Sequence, residues 1–447
     1  MLFKNYERII ENGETPILKN IRKDILEILK AAILSVDPYR SVKSTFNENK
    51  IDFDGKTIDV SKYNNVYLIG FGKASVGMAQ AVCDSIKIKK GVVVTNESEK
   101  KVECENVYTF VGGHPIPNQN SIIGAEKIIE TLEKTNEGDL AIVLISGGGS
   151  ALFEKPRISL EDLQKTTDLL LESGANINEI NTIRKHLSYV KGGQIAKYAK
   201  CRIISFVISD IIGDPLEFIA SGPTFPDSTT FNDAKKIFKK YDLYKNIPDS
   251  ARDIIESGLN HEIVENPDKD NPMFKNVDNY IITNNYIACE AAEDKAKQLG
   301  YETVLLTTSL DGEASEIGRY LSDKASNYLL KEKNIVFITG GETTVTIHGG
   351  GKGGRNQELI LSCVESIRDK PLVCTSFATD GIDGNSDAAG AIADGFSFER
   401  ALKQGYEPKK FLRNNDSYNF FKKLDDLLIT GSTGTNVMDL QIIVKYN

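Results

Sequence analysis

Short apolar runs alternate with amphipathic stretches along most of this chain. Runs rich in Val, Ile and Leu, closed by Gly, Ser, Thr or Asn, occupy residues 65–71, 91–95, 107–111, 139–145, 203–209, 280–285, 302–307, 335–339 and 441–444. Such brief runs bounded by turn residues read as buried strands. Apolar positions recur at helical spacing in 21–32, 121–135, 179–199, 287–299 and 313–330, which predicts amphipathic helices there. Alternation of strand and helix predicts an α/β fold with mostly parallel sheets. In such folds ligands gather beyond the carboxyl ends of the strands.

The ends of the predicted strands carry the chemistry. Residues 139–145 stop abruptly in Ser146-Gly147-Gly148-Gly149-Ser150. Three glycines let the backbone turn sharply and present N–H groups to an anion, although a plain strand-to-helix turn needs no more than this. Residues 65–71 run into Gly72-Lys73-Ala74-Ser75, and 107–111 into Gly112-Gly113-His114-Pro115. Residues 335–339 end in Gly340-Gly341-Glu342, repeating the design. The repeat suggests two Rossmann-like lobes with an interdomain cleft, 1–260 and 261–447, divided near the polar, Pro-flanked stretch 265–272. In Gly349-Gly350-Gly351-Lys352-Gly353-Gly354-Arg355, five glycines, a lysine and an arginine precede a helix. That is a recipe for holding phosphate, though the spacing is not that of a Walker A loop.

Carboxylates follow two strands. Asp210 ends 203–209 ahead of a Gly/Pro loop, a position suited to a Mg²⁺ ligand or a general base. Asp214 and Asp227 read as turn caps. Asp380, Asp383 and Asp387 lie beyond another strand, with spacing wrong for an EF-hand. Arg184-Lys185-His186 reads first as a solvated basic face.

Composition narrows the classes. Hydrophobic residues make up 40% and charged residues 26%, ordinary for a soluble globular protein. No apolar run approaches the roughly 18 residues that span a bilayer. Met1-Leu2-Phe3-Lys4-Asn5-Tyr6 does not open a signal peptide, so a cytoplasmic location is expected. A net charge of −9 argues against nucleic-acid binding. Six cysteines without a CxxC pair and four histidines without an HExxH motif make thiolate or zinc chemistry a poor fit. A small molecule and a nucleotide are the expected partners, with no membrane; a homodimer is the assembly considered, and the sequence leaves the oligomeric state open.

Three function classes remain. Glycine–hydroxyl loops, a lysine, an arginine and strand-end carboxylates lead to phosphoryl transfer. A dinucleotide-dependent oxidoreductase would show GxGxxG. Here the turn reads Gly70-Phe71-Gly72-Lys73-Ala74-Ser75, and the next strand ends Val94-Thr95-Asn96 with no acidic residue. A sugar-phosphate-binding regulatory module would need the loops but not the carboxylates.

These motifs resemble those of the type II glycerate kinases, with their C-terminal MOFRL domain. The carriers are Gly72-Lys73-Ala74-Ser75, Gly113-His114-Pro115-Ile116-Pro117, Ser146-Gly147-Gly148-Gly149-Ser150, Arg184-Lys185-His186-Leu187-Ser188, Gly353-Gly354-Arg355-Asn356-Gln357-Glu358 and Thr379-Asp380-Gly381-Ile382-Asp383-Gly384. The resemblance implies transfer of the γ-phosphoryl of ATP, with Mg²⁺, to D-glycerate, generally at the 2-hydroxyl. It puts catalysis on Lys73 and Arg355. Asp210 is then expected as base or metal ligand, with Asp380 and Asp383 as further metal contacts. Ser146 to Ser150 and Gly340, Gly341 and Glu342 are expected at the nucleotide, Arg184 and Lys185 at the glycerate carboxylate. Two loops depart from the family pattern, each lacking a proline: Gly384-Asn385-Ser386-Asp387 and Gly431-Ser432-Thr433-Gly434-Thr435. Loss of proline is expected to loosen them slightly. Hydroxypyruvate reductase, an NAD(P)-dependent activity, is the alternative implied by labels on some relatives.

Overall fold

All six residues of β1 (Val66–Phe71) are buried. β2 (Lys90–Thr95), β3 (Val107–Val111), β4 (Leu140–Ile145), β5 (Arg202–Ile208) and β6 (Val277–Thr283) join it in one sheet, ordered β3-β2-β1-β4-β5-β6. Strands apolar on both faces belong in a parallel sheet covered on both sides. The pairs β3/β2, β2/β1, β1/β4 and β4/β5 are parallel. Their register aligns Phe110, Val94, Phe71, Ile145 and Val207 in one row. The strands therefore end level, and the loops after them open on one edge. The computed structural model describes residues 2–330 and 333–447.

The second sheet contains β7 (Glu302–Leu310), β8 (Ile335–Gly341), β9 (Leu372–Ala378), β10 (Gly390–Asp394), β11 (Leu427–Leu428) and β12 (Asp439–Lys445), ordered β7-β8-β12-β9-β10-β11. This sheet is mixed. β7 and β8 are parallel, linked by helix Ala314–Ser326, whereas β12 runs against both β8 and β9, and β10 against β9 and β11. A parallel pair needs a long crossover; β9 and β10 are joined by a loop without a helix, which suits a return strand.

The chain divides into two compact units, Pro38–Ile282 and a second that combines the segment ending at Asp37 with Thr283–Asn447. Compactness thus divides the chain at 282/283, not near 260. The polar stretch 265–272 is a loop ahead of β6, which still belongs to the first sheet. Helix Pro16–Ser35 belongs to the second unit, packed on helix Asn285–Gln298. The expected helix over 179–199 is shorter, Ile177–His186. Gly192 and Gly193 both take left-handed φ, +57° and +77°, and break the pattern. Among the described residues, no helix is long and apolar enough to cross a membrane.

One buried cation pins the N-terminal helix. Arg22 is fully buried and donates from Nε and Nη2 to Asp394 Oδ2 (3.0 and 2.6 Å) and from Nη1 to Asp426 Oδ1 (2.7 Å). Burial pushes the Asp426 carboxyl up, but Arg22 and Arg400 outweigh it and hold it below its ordinary value. A depressed carboxylate contributes stability that is complete above an unfolded pKa of about 4 and lost as pH falls through the folded value. Arg22→Met removes the cation from buried Asp394 and leaves Asp426 to Arg400, and is expected to cost about 3–5 kcal/mol. Thermal melts should show the gap between wild type and variant narrowing as pH drops below about 4.

Candidate active site

Because β1 and β4 are neighbours that end level, the turns after them lie side by side. The Lys73 N–H donates to Gly147 O (2.9 Å) and the Ala74 N–H to Ser146 Oγ (3.1 Å). Gly72 has φ +122°, and a Cβ there would overlap Ser146 Oγ. Only glycine permits so close an approach. Gly148 adopts φ +80° and starts the short helix Gly149–Leu152. Among the described residues, the N–H groups of Gly148 and Ser150 make no backbone hydrogen bond. They are donors available to an anion.

Three side chains flank this turn. Lys73 is partly exposed. Asp210, just past β5, packs over Gly147 so closely that a Cβ on Gly147 would overlap its carboxylate. His114 lies against Gly148, its Cδ2 2.8 Å from where a Cβ would stand. Burial and the Lys73 charge push its imidazole down to about 4, so it is neutral at pH 7. His114 was not among the expected site residues. Its signal was the Gly112-Gly113-His114-Pro115 motif at a strand end, equally readable as a plain loop.

The far side of the turn is held by buried charge. Lys191 Nζ donates to Ser150 O (2.7 Å) and Phe153 O (2.8 Å) and pairs with Glu154 at 3.1 Å, both side chains fully buried. Burial pushes the Lys191 ammonium down to about 8. Arg184 Nη2 also donates to Ser150 O (2.8 Å). Ser150 Oγ meets Ser221 Oγ at 2.8 Å, and Ser221 bonds to Asn181 Oδ1 at 3.2 Å. Ala220 and Ser221 take left-handed φ of +52° and +63°. Each such residue costs about 1–3 kcal/mol and persists because its surroundings over-determine it.

Lys185 departs from the expected role. It is fully buried, and its Nζ donates to Asp227 and Glu217, both at 2.8 Å. Its charge is used within the fold and does not reach a glycerate carboxylate. Asp227 also accepts the Thr229 N–H, the turn cap expected of it.

The second unit corrects other expectations. Asp383 is 1% exposed and accepts four N–H bonds, from the backbones and side chains of Asn356 and Gln357, at 2.8–3.2 Å. It neutralises the N-terminus of helix Arg355–Ser366, so its lone pairs are not open to a metal. Gly340 and Gly341 are buried strand residues: a Cβ on Gly340 would overlap Asn285, and one on Gly341 would overlap Leu310. Packing alone requires glycine at both. In the Gly-rich loop the N–H groups of residues 348–353 are all taken, by Asn415, Asn414, Asp416 and Asn385. Asn385 exchanges two bonds with Gly353, one through a backbone N–H that proline would lack, so this loop is tied rather than loosened.

Arg355 itself forks onto Asp439 (Nε 2.5 Å, Nη2 3.0 Å) and reaches Glu342 with Nη1 at 2.7 Å. Burial pushes the Asp439 carboxyl up to about 7 against the pull of Arg355. Asp380 is half-buried and accepts the Ile382 N–H. Among the described residues, no group of three or more His, Cys, Asp or Glu is arranged to hold a metal.

A family described as a domain of unknown function (DUF4147) matches residues 24–256, and the MOFRL family matches 335–439. A glycerate 2-kinase from Pyrococcus horikoshii is 44% identical over 437 residues, covering 96% of this chain and 98% of that protein. The chain belongs to the glycerate 2-kinase family. A D-glycerate 2-kinase from Thermotoga maritima is 39% identical, covering 95% of this chain and 98% of that one. A crystal structure of glycerate kinase from the same organism matches with a TM-score of 0.85 at 39% identity, covering 96% of this chain and all of that one. A putative hydroxypyruvate reductase from Agrobacterium vitis is 35% identical over 440 residues, 95% of this chain and 94% of that protein. As in other kinases, a nucleotide is a substrate of this family.

Lys191 yields a pH test. It is charged below about 8, where it holds Ser150 and balances Glu154. As pH rises through that value Glu154 loses the nearer of its two cations and keeps only Arg184 at 3.9 Å, and the turn should loosen. Turnover is expected to fall above about pH 8. In Lys191→Arg, whose guanidinium stays charged, the falling limb should move upward. A pH–rate profile of both proteins checks this.

Proposed function

We infer that the protein transfers the γ-phosphoryl group of ATP to D-glycerate, at the 2-hydroxyl, giving 2-phosphoglycerate and ADP. The observation that carries this reading is the stitched pair of turns, with Lys73 and Asp210 beside open backbone donors, in a chain 44% identical to a glycerate 2-kinase. In our assignment the turn from Ser146 to Ser150 binds phosphate oxygens. Lys73 offsets the charge on the transferring group, where fixed cations act most strongly, and the family resemblance assigns Arg355 a catalytic role. Asp210 takes the proton of the attacking hydroxyl. Arg184, whose Nε has no partner among the described residues, binds the glycerate carboxylate.

Mg²⁺ fits as a companion of the ATP phosphates, since it typically takes one or two carboxylates and keeps its waters. Asp210, partly exposed beside the phosphate turn, is the residue suited to touch it. When bound it would neutralise phosphate charge. All six cysteines are free thiols, which supports a reducing, cytoplasmic setting.

Reduction of hydroxypyruvate with NAD(P)H has less support. Lys73 occupies the glycine turn, and Thr95 and Asn96 at the end of β2 supply no carboxylate for a ribose. Incubation with D-glycerate, ATP and Mg²⁺ should release ADP, while hydroxypyruvate with NADH should leave the nicotinamide unchanged. Nicotinamide oxidation without ADP release would reverse the assignment. Lys73→Ala or Arg355→Ala should each lower kcat by on the order of 10³. Near-normal turnover would remove that residue from the mechanism.

A further inference from the structure

The second unit contains a cavity of ≈ 490 Å³ beside Arg355. We propose that it holds the nucleoside portion of the nucleotide substrate. The proposal rests on the kinase reading above and adds which part of the nucleotide binds here.

The cavity is poorly built for phosphate. In the adjoining loop the N–H groups of residues 348–353 are spent on Asn414, Asn415, Asp416 and Asn385, which leaves that of Gly354 alone facing the lining. Asp383 has already neutralised the neighbouring helix N-terminus. Two carboxylates, Glu342 and Glu358, line the wall, and Arg355 is the only cation among the lining residues. Glycerate is excluded for the same electrostatic reason, and a three-carbon acid would leave most of the volume empty.

A neutral nucleoside matches the same features. The volume falls within the range of about 300–1,000 Å³ usual for small-molecule sites. Val345 and Ile347 give one apolar wall, with Ile347 77% exposed. A flat heteroaromatic ring laid on that wall would cover apolar surface that is otherwise wet. The carboxylates that repel phosphate accept hydrogen bonds from ribose hydroxyls, which only they among the charged lining groups can do. Two polar groups lack partners among the described residues. Thr343 is 2% exposed and its Oγ1 makes no hydrogen bond. The Asn385 amide nitrogen is likewise uncommitted, its oxygen being held by Gly353 N–H. A buried unsatisfied hydroxyl costs about 1–3 kcal/mol, and a base with ring nitrogens and an exocyclic group supplies its missing partner.

Photolabelling of the wild-type full-length protein with 2-azido-ATP, mapped by peptide mass spectrometry, tests this directly. Label is expected on peptides containing residues 343–354 or 385, suppressed by excess ATP. Label confined to peptides from residues 38–282 would overturn the proposal. Val345→Trp, which fills the cavity, should raise the KM for ATP by at least about tenfold and leave the KM for glycerate within about twofold. An unchanged KM for ATP in a variant with a wild-type melting curve would also overturn it. A wild-type protein that labels in the cavity yet makes no ADP from glycerate would sink the kinase reading and leave the nucleoside site standing.

Discussion

The level ending of β1 and β4 is the constraint on which the candidate site depends. Parallel register sets Phe71 opposite Ile145, so the next residues of both strands must share one small space. Gly72 meets it by having no side chain, and Ser146 by turning its hydroxyl to cap the Ala74 N–H. Once those turns are joined, Lys73, His114 and Asp210 have little choice of position. Each follows a strand that ends in the same row, and each borders a glycine of the β4 turn. Asp210 and His114 stand where a Cβ would otherwise be. The glycines of this turn therefore serve two purposes, presenting N–H groups and making room for the side chains that flank them.

Charge is distributed by a different rule. Buried cations here are occupied by the fold. Arg22 clamps the N-terminal helix, Lys185 is shared by Asp227 and Glu217, and Lys191 fastens the carbonyls of Ser150 and Phe153. Each has left water, and each is matched by carboxylates because an unpaired buried charge would be prohibitive. Lys73 and Arg355 keep contact with solvent. Lys191 links the two groups, since a residue wholly inside the protein sets the carbonyl geometry of a turn whose N–H groups face outward. Strain at Ala220 and Ser221 sits on the same turn, held by Gly149 and Ser150.

Hydrogen-bond donors obey a counting argument that glycine content conceals. Two Gly-rich segments look alike as phosphate cradles, 146–150 and 349–354. In the first, Gly148 and Ser150 keep their N–H groups. In the second, acceptors from the segment 414–416 and from Asn385 take every N–H from 348 to 353. The acceptors lie more than 30 residues away in sequence, so nothing local to the loop announces them. The same holds for Asp383, whose four donors come from the first turn of a helix nearly 30 residues upstream.

Strands, crossovers and the glycine-closed strand ends were legible because they are local: a short apolar run between turn residues has few other ways to satisfy its backbone. Lys73, Asp210 and the Ser146–Ser150 turn could be picked out for the same reason, since each follows directly from a strand. The sequence alone also carried the family, through long motifs in one order. Tertiary structure decided the rest. It sent the segment ending at Asp37 to the second unit, made β12 run against β8 and β9, spent Lys185 and Asp383 inside the fold, and brought His114 and Lys191 to the turn. Whether a polar group faces a ligand or a partner of its own chain depends on which distant segment folds against it, and local pattern does not encode that.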